Sequence, residues 1–212
     1  YSEKVVYLPN SYQVNVSKIK NSKISLTRHD VGLPNTGFVF LCFNNIYKIT
    51  SYTFSGWMRI LEAVEDSVLW LLESNSSAAN NLKKEATKSG INEDRLIFAK
   101  YIPVAEHLNR IQLADLFLDT LPCNAHTTTS DALRMELPVL TCMGNSFASR
   151  VAASLLNAVN LPELITTTQE QYEALAIQLA LHPEKLKVIK DKLINNLDRK
   201  STRLNSSHVK RS

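Results

Sequence analysis

Glycine is scarce in this chain, with five among 212 residues, and none sits in a G-x-G-x-x-G or G-x-x-x-x-G-K-[ST] pattern. Both standard glycine loops for cradling phosphate are missing, which disfavours a classical dinucleotide or P-loop enzyme. There is no D-x-D, so a carboxylate-bridged metal on a diphosphate has no obvious ligands. No G-x-S-x-G elbow occurs either. The three cysteines, Cys42, Cys123 and Cys142, are widely spaced and form neither a C-x-x-C metal pattern nor an even disulfide set. They suit a reducing, cytoplasmic setting. No apolar run nears the ~20 residues of a membrane helix and no signal peptide opens the chain, so no membrane partner is expected.

A charge of one sign is missing as well, once the tail is set aside. Lys200, Arg203, Lys210 and Arg211 account for the whole net charge of +4; the other 199 residues carry twenty bases and twenty acids. Nucleic-acid binding, which needs a basic face against phosphate, loses its support. The chain opens on Tyr1 rather than Met and reads as part of a longer protein. Three segments are expected. Residues 1–30 form a connection with a possible extra strand at Lys4–Pro9, and 31–199 form the folded lobe. Residues 200–212, Ser-rich, basic and aperiodic, are taken as a disordered, non-native tail.

From Phe38 onward, short apolar runs alternate with amphipathic stretches. Phe38–Phe43, Ser67–Leu72, Arg95–Ala99, Leu116–Thr120 and Pro138–Cys142 read as strands, with a further extended stretch near Leu164. Helices are expected over Thr53–Val64, Ala78–Ser89, Ala105–Ala114, Thr128–Glu136, Phe147–Val159, Glu170–Leu181 and Glu184–Leu197. Such alternation implies βαβ units and right-handed crossovers, hence an α/β fold with a doubly wound, Rossmann-like parallel sheet.

Ligands of such sheets bind beyond the carboxyl ends of the strands. Three separated segments bring polar groups to that edge: Asn44 to Lys48, then His107 and Arg110, then Cys123 to Asp131. Thr127, Thr128 and Thr129 sit at a helix start, with Asp131 in its first turn. The bare N–H groups and positive dipole end there suit an anion; a threonine simply capping its own helix is the commoner arrangement when the segment is taken alone. His126 could donate to a phosphate or sugar oxygen. His107 and Arg110, three apart, share a helix face and could sandwich a flat heterocycle. A solvated face beside Glu106 is the alternative. Lys48 is either a phosphate partner or an exposed structural lysine. Cys123, without an evident base, reads as a small buried hydrophobe.

Four collinear runs carry a specific resemblance: FNNIYKIT (43–50), SVLWLLESN (67–75), EHLNRIQLADLFLDTLPCNAHTTTSDAL (106–133) and ASRVAASLL (148–156). From about Val5 to Leu197 the chain resembles the C-terminal catalytic half of O-linked N-acetylglucosamine transferases, including bacterial TPR-linked and SPINDLY-like relatives. The resemblance implies one lobe of a two-lobed GT-B glycosyltransferase, taking a UDP-sugar donor without metal or other cofactor. It implies that Lys48, with Asn45 close by, neutralises the diphosphate. His107 and Arg110 would flank the uracil, and the backbone near Ile102 would read its edge. His126, Thr127 and Thr128 would hold the phosphates, and Asp131 would contact the ribose. The protein acceptor and any acceptor-side base would belong to N-terminal regions absent here, so this fragment alone is expected to be inactive.

Two departures stand out. Val104 replaces a ribose-contacting lysine of animal relatives, and Arg134-Met135-Glu136 replaces Trp-Ala-Gly. The expected activity is transfer of N-acetylglucosamine to Ser/Thr of proteins. A non-catalytic nucleotide-binding scaffold of a TPR protein and a sugar-nucleotide epimerase are the rival readings.

Overall fold

The computed structural model describes residues 26–207, with side chains through Leu197. The strand expected at Lys4–Pro9 lies outside those residues. Among the described residues, six parallel strands form one sheet: β1 Phe38–Cys42, β2 Ser67–Leu72, β3 Leu96–Ala99, β4 Leu116–Leu118, β5 Val139–Cys142 and β6 Ile165–Thr166. Their spatial order is β3-β2-β1-β4-β5-β6. This is the doubly wound arrangement the alternation implies, and the extended stretch near Leu164 becomes its sixth strand. Strand β1 is buried along nearly its whole length, as expected of a central parallel strand covered on both faces.

The helices are α1 Ser51–Ala63, α2 Ser76–Lys88, α3 Val104–Ile111, α4 Thr127–Arg134, α5 Val151–Ala158, α6 Gln169–Leu181 and α7 Pro183–Ser207. Helix α1 turns Phe54, Trp57, Met58, Ile60 and Leu61 inward. It crosses α6 where Trp57 Nε1 donates to the Tyr172 hydroxyl at 3.2 Å and Arg59 pairs with Glu173 at 2.6 Å. Among the described residues, Trp57, Trp70, Tyr172, Phe40 and Phe117 are the largest fully buried side chains. At the other end of the strands, Arg28 clamps the lobe, donating to the carbonyls of Leu113 and Gly37 at 3.0 Å each and to Asp115 at 2.8 Å. Among the described residues, no helix is long and apolar enough to cross a membrane.

Helix α7 continues through Ser207, into the first residues of the segment whose composition suggests disorder. The physical reason is local: residues 183–207 contain neither glycine nor a proline beyond the first position, so nothing breaks the helix where the apolar periodicity stops.

Three helices end in the same double-bonded turn. After α2 the left-handed residue is Gly90, after α5 it is Asn160 (φ 57°), and after α4 it is Glu136 (φ 62°). At Glu136 the N–H donates to Leu133 O at 3.0 Å, and the Leu137 N–H donates to Ala132 O at 2.9 Å. This Schellman cap favours glycine, because a Cβ is strained at positive φ. The Glu136 departure therefore falls at the one α4 position that needs left-handed backbone. Glu136→Gly is expected to stabilise the lobe by about 1 kcal/mol, read as a raised midpoint in urea unfolding.

Candidate functional site

The sheet order reverses between β1 and β4, and the crevice outside the carboxyl ends of those two strands is the topological switch point. The segments leaving β1 and β4 meet there. The first makes a single 3-10 turn, Ile46–Lys48, which carries Lys48 toward the second. Lys48 Nζ donates to the Asn124 carbonyl at 2.9 Å, across 76 residues of chain. Lys48 is half-buried rather than a freely solvated surface lysine, and Asn45 beside it is exposed.

The loop after β4 ends at α4. His126 is its N-cap residue and takes the Ser130 N–H on its carbonyl at 3.1 Å, but its side chain does not cap the helix. Helices α1, α2 and α6 start differently, each with a Thr or Asn side chain accepting a first-turn N–H. Thr127 opens α4 as its first residue, so no threonine occupies the cap position. The self-capping alternative is not what the structure adopts. The N–H groups of Thr127 and Thr128 thus begin a helix whose positive end lies on the Lys48 rim. Asp131 falls in the second turn rather than the first, half-buried, 3.8 Å from Arg134. Burial raises its pKa and Arg134 opposes the rise.

The His107–Arg110 pair is built differently from the expected sandwich. Both lie on one face of α3, as their spacing requires, but Arg110 is only 3% exposed. Its guanidinium sits 4.8 Å above the Phe43 ring and donates to the Lys100 carbonyl at 2.7 Å. An incoming ring cannot stack on a group so covered; Phe43 already occupies that face. Arg110 instead supports His107. Arg110 Nη2 lies 2.7 Å from His107 Nδ1. A guanidinium can only donate, so Nδ1 accepts and the ring proton is assigned to Nε2. Burial and the Arg110 charge push the His107 pKa down to about 4, leaving a neutral ring at pH 7. The segment with Ile102, half-buried, runs between the Lys100 carbonyl held by Arg110 and the start of α3. Val104, at the departure position, is largely exposed.

His126 meets the exposed Phe147 ring edge-on, with centroids 6.3 Å apart. Its pKa is lowered by burial and by Lys48, against a backbone hydrogen bond with Ala148. Cys123 is half-buried and points its Sγ at the Asn124 carbonyl, 3.9 Å away.

Sequence reasoning gave no role to two residues here, Asn44, which it placed at this edge, and Asp119. Asn44, buried, reaches from the β1 segment to Thr120 Oγ1 at 2.8 Å. Asp119, also buried, immediately follows β4 and accepts from the N–H groups of Thr120 and Ala125 at 2.8 and 2.7 Å, and from Thr141 Oγ1 at 2.7 Å. A carboxylate directly after an apolar strand, inside LFLDT, was the available signal. Burial pushes its pKa up to about 6 despite those donors and Lys48.

Asp119 and His107 have opposite effects on stability as pH changes. Asp119 binds its proton more tightly folded than unfolded, so its contribution is present below about pH 4 and is lost as pH rises toward 6. His107 is the reverse, destabilising progressively as pH falls from 6.5 toward 4. Each is worth on the order of 3 kcal/mol, and the two offset one another. Asp119→Asn is therefore expected to lose stability on acidification from pH 6.5 to 4, whereas His107→Gln gains it. Thermal unfolding across that range would check the opposite slopes.

In class, the fold is the doubly wound α/β arrangement of GT-B glycosyltransferases. A putative UDP-N-acetylglucosamine 2-epimerase from Listeria monocytogenes shares it at TM-score 0.53 and 15% identity, over 91% of this chain and 50% of that one. The profile of glycosyl transferase family 41 matches residues 8–210, and the chain belongs to that family. It is 38% identical over 199 residues to the probable UDP-N-acetylglucosamine–peptide N-acetylglucosaminyltransferase SEC of Arabidopsis thaliana, covering 91% of this chain and 20% of that protein. It superposes on an O-GlcNAc transferase mutant from Thermobaculum terrenum with TM-score 0.75 and 27% identity, over 91% of this chain and 35% of that one. The chain thus spans only a fifth to about a third of the length of these two relatives.

Proposed function

We propose that this chain is the donor-binding lobe of an inverting UDP-sugar glycosyltransferase that moves N-acetylglucosamine to Ser/Thr hydroxyls of proteins. One observation carries the reading: the Lys48 ammonium sits against the loop that delivers the uncapped start of α4, at the switch point. A cation and a bare helix end on one rim suit a diphosphate. The names of the relatives supply the UDP and the N-acetylglucosamine.

In this reading the acceptor oxygen bonds to the anomeric carbon as that carbon's bond to the diphosphate oxygen breaks. UDP departs with the electron pair, and the acceptor proton goes to a base outside this chain. Charge grows on the leaving phosphate, so Lys48 and the Thr127 and Thr128 N–H groups act more strongly in the transition state than before it. No metal is needed for that neutralisation. His126 flanks the phosphates. Neutral His107, proton on Nε2, presents a flat donor-bearing ring to the uracil, with the Ile102 backbone at the base edge and Asp131 at the ribose. Asn45 stands at the mouth. The reaction cleft needs a second lobe, and the isolated lobe binds donor without turning it over.

A non-catalytic reading has one observation in its favour: Arg134, a departure from the family pattern, pairs with the Asp131 carboxylate assigned to the ribose. Calorimetry with UDP tests the site: the donor-lobe reading expects saturable one-to-one heat, and absence of binding rejects it. Transfer from a UDP-sugar by the protein carrying both lobes then separates the enzyme from a nucleotide-binding scaffold, which would bind UDP without turnover.

A further inference from the structure

We propose that Asp119 is the positioning residue of this anion site. Its buried carboxylate winds residues 120–126 into the shape that brings the Asn124 carbonyl to Lys48 and aims the start of α4 at the same point. This rests on the donor-site reading above.

The segment between β4 and α4 contains no regular structure, so its form must come from other hydrogen bonds. Within the loop Thr120 Oγ1 donates to the Cys123 carbonyl at 2.7 Å and Asn124 Nδ2 to the Thr120 carbonyl at 2.8 Å, and Asn124 N–H reaches the Ala148 carbonyl at 2.9 Å. One carboxylate oxygen joins the two ends. Asp119 Oδ1 accepts from Thr120 N–H at 2.8 Å and from Ala125 N–H at 2.7 Å, closing a six-residue loop on a single atom. Asn44 Nδ2 lies 3.5 Å from the same oxygen. Oδ2 accepts from Thr141 on β5, and the Asp119 carbonyl accepts from the Tyr172 hydroxyl of α6 at 3.0 Å. The carboxylate therefore references the loop to β5 as well as to its own strand, while the main-chain carbonyl of the same residue is fixed by α6. Ala125 is the pivot, for its neighbours are Asn124, which Lys48 touches, and His126, which begins α4.

Stability alone does not explain a buried carboxylate, because desolvating it costs several kcal/mol and apolar packing would avoid that. The groups facing it from packed elements are Lys48 from the β1 segment, the thiols of Cys42 on β1 and Cys142 on β5, and the Tyr172 hydroxyl on α6. Lys48 alone among them is a cation. Charge and hydrogen bonds thus point the same way, toward holding one loop in one place relative to one lysine.

The test compares Asp119→Ala and Asp119→Asn in the full chain, using UDP calorimetry and amide hydrogen exchange. Asparagine keeps the Oδ1 acceptor and can donate to Thr141 Oγ1, so it preserves the winding without the charge. Asp119→Ala is expected to weaken UDP at least tenfold, and Asp119→Asn to recover to within about threefold of the parent. The Thr120 and Ala125 amides should lose protection in the alanine variant and keep it in the asparagine variant, with β1 and β2 unchanged. Unaltered UDP affinity in Asp119→Ala overturns the proposal, as does equal weakening in both variants. If Asp119→Ala does not fold, Thr141→Ala, which removes the Oδ2 donor, should weaken UDP at least threefold, and unchanged affinity there overturns it. Failure of the parent chain to bind UDP rejects the donor-site reading and the role at that site with it, while exchange at Ala125 still reports whether Asp119 winds the loop.

Discussion

On the proposed donor-site reading, Lys48→Ala is expected to lower transfer by about 10²–10³ in a protein carrying both lobes, the usual loss when one fixed stabiliser of developing charge is removed. The size follows from where the ammonium sits. It is half-buried and oriented by the Asn124 carbonyl at 2.9 Å, so little reorganisation is needed when the leaving group charges. At contact distance and an effective dielectric near 20, a unit pair is worth about 4 kcal/mol. The helix start beside it supplies a partial charge of about one half, so the lysine is the larger contributor. Lys48→Arg keeps the charge but replaces a compact point with a planar fork. A smaller loss, about tenfold, is expected. Steady-state rates with a UDP-sugar donor would check both, and full turnover in Lys48→Ala would remove the role assigned to it.

Gly37→Ala destabilises the lobe by about 3 kcal/mol. Gly37 has φ 91°, and a Cβ built there overlaps the backbone carbonyl oxygen of Asp66. That oxygen cannot retreat, because it accepts the Phe38 N–H at 2.8 Å where β1 begins beside β2. Gly37's own carbonyl is held by Arg28. Backbone strain at positive φ costs about 1–3 kcal/mol, and the steric overlap adds to it. Gly32 is the internal control: its φ is 74°, yet a methyl group there would meet nothing within 4 Å. Gly32→Ala should therefore cost only about 1 kcal/mol, from conformation alone. Urea unfolding of the two variants separates strain from collision.

Much of the lobe is legible in short stretches of the chain. The run Phe38 to Cys42 is nearly all apolar and belongs to a strand covered on both faces; Trp57, Ile60 and Leu61 recur at helical spacing and are buried. Strand ends then indicate which edge gathers Lys48, His107 and Thr127. The setting of Arg110 is not legible in this way, because spacing reports which face of a helix a residue shares, not what covers that face. Phe43, from another element, covers it. Helix α7 runs on to Ser207 past the last amphipathic turn because loss of amphipathic period removes a reason to pack without adding a reason to stop the helix.

The residues of the chain alone determined the alternation of strand and helix, the parallel class that alternation demands, and the set of polar groups at the carboxyl edge. These are properties of short windows, governed by side-chain period and local backbone preference. Only the tertiary structure decided that the order reverses between β1 and β4, that Lys48 closes on Asn124, and that Asp119 and Arg110 point inward. Those outcomes depend on hydrogen bonds and packing between segments tens of residues apart, and short-range pattern carries no information about which distant partner will be there.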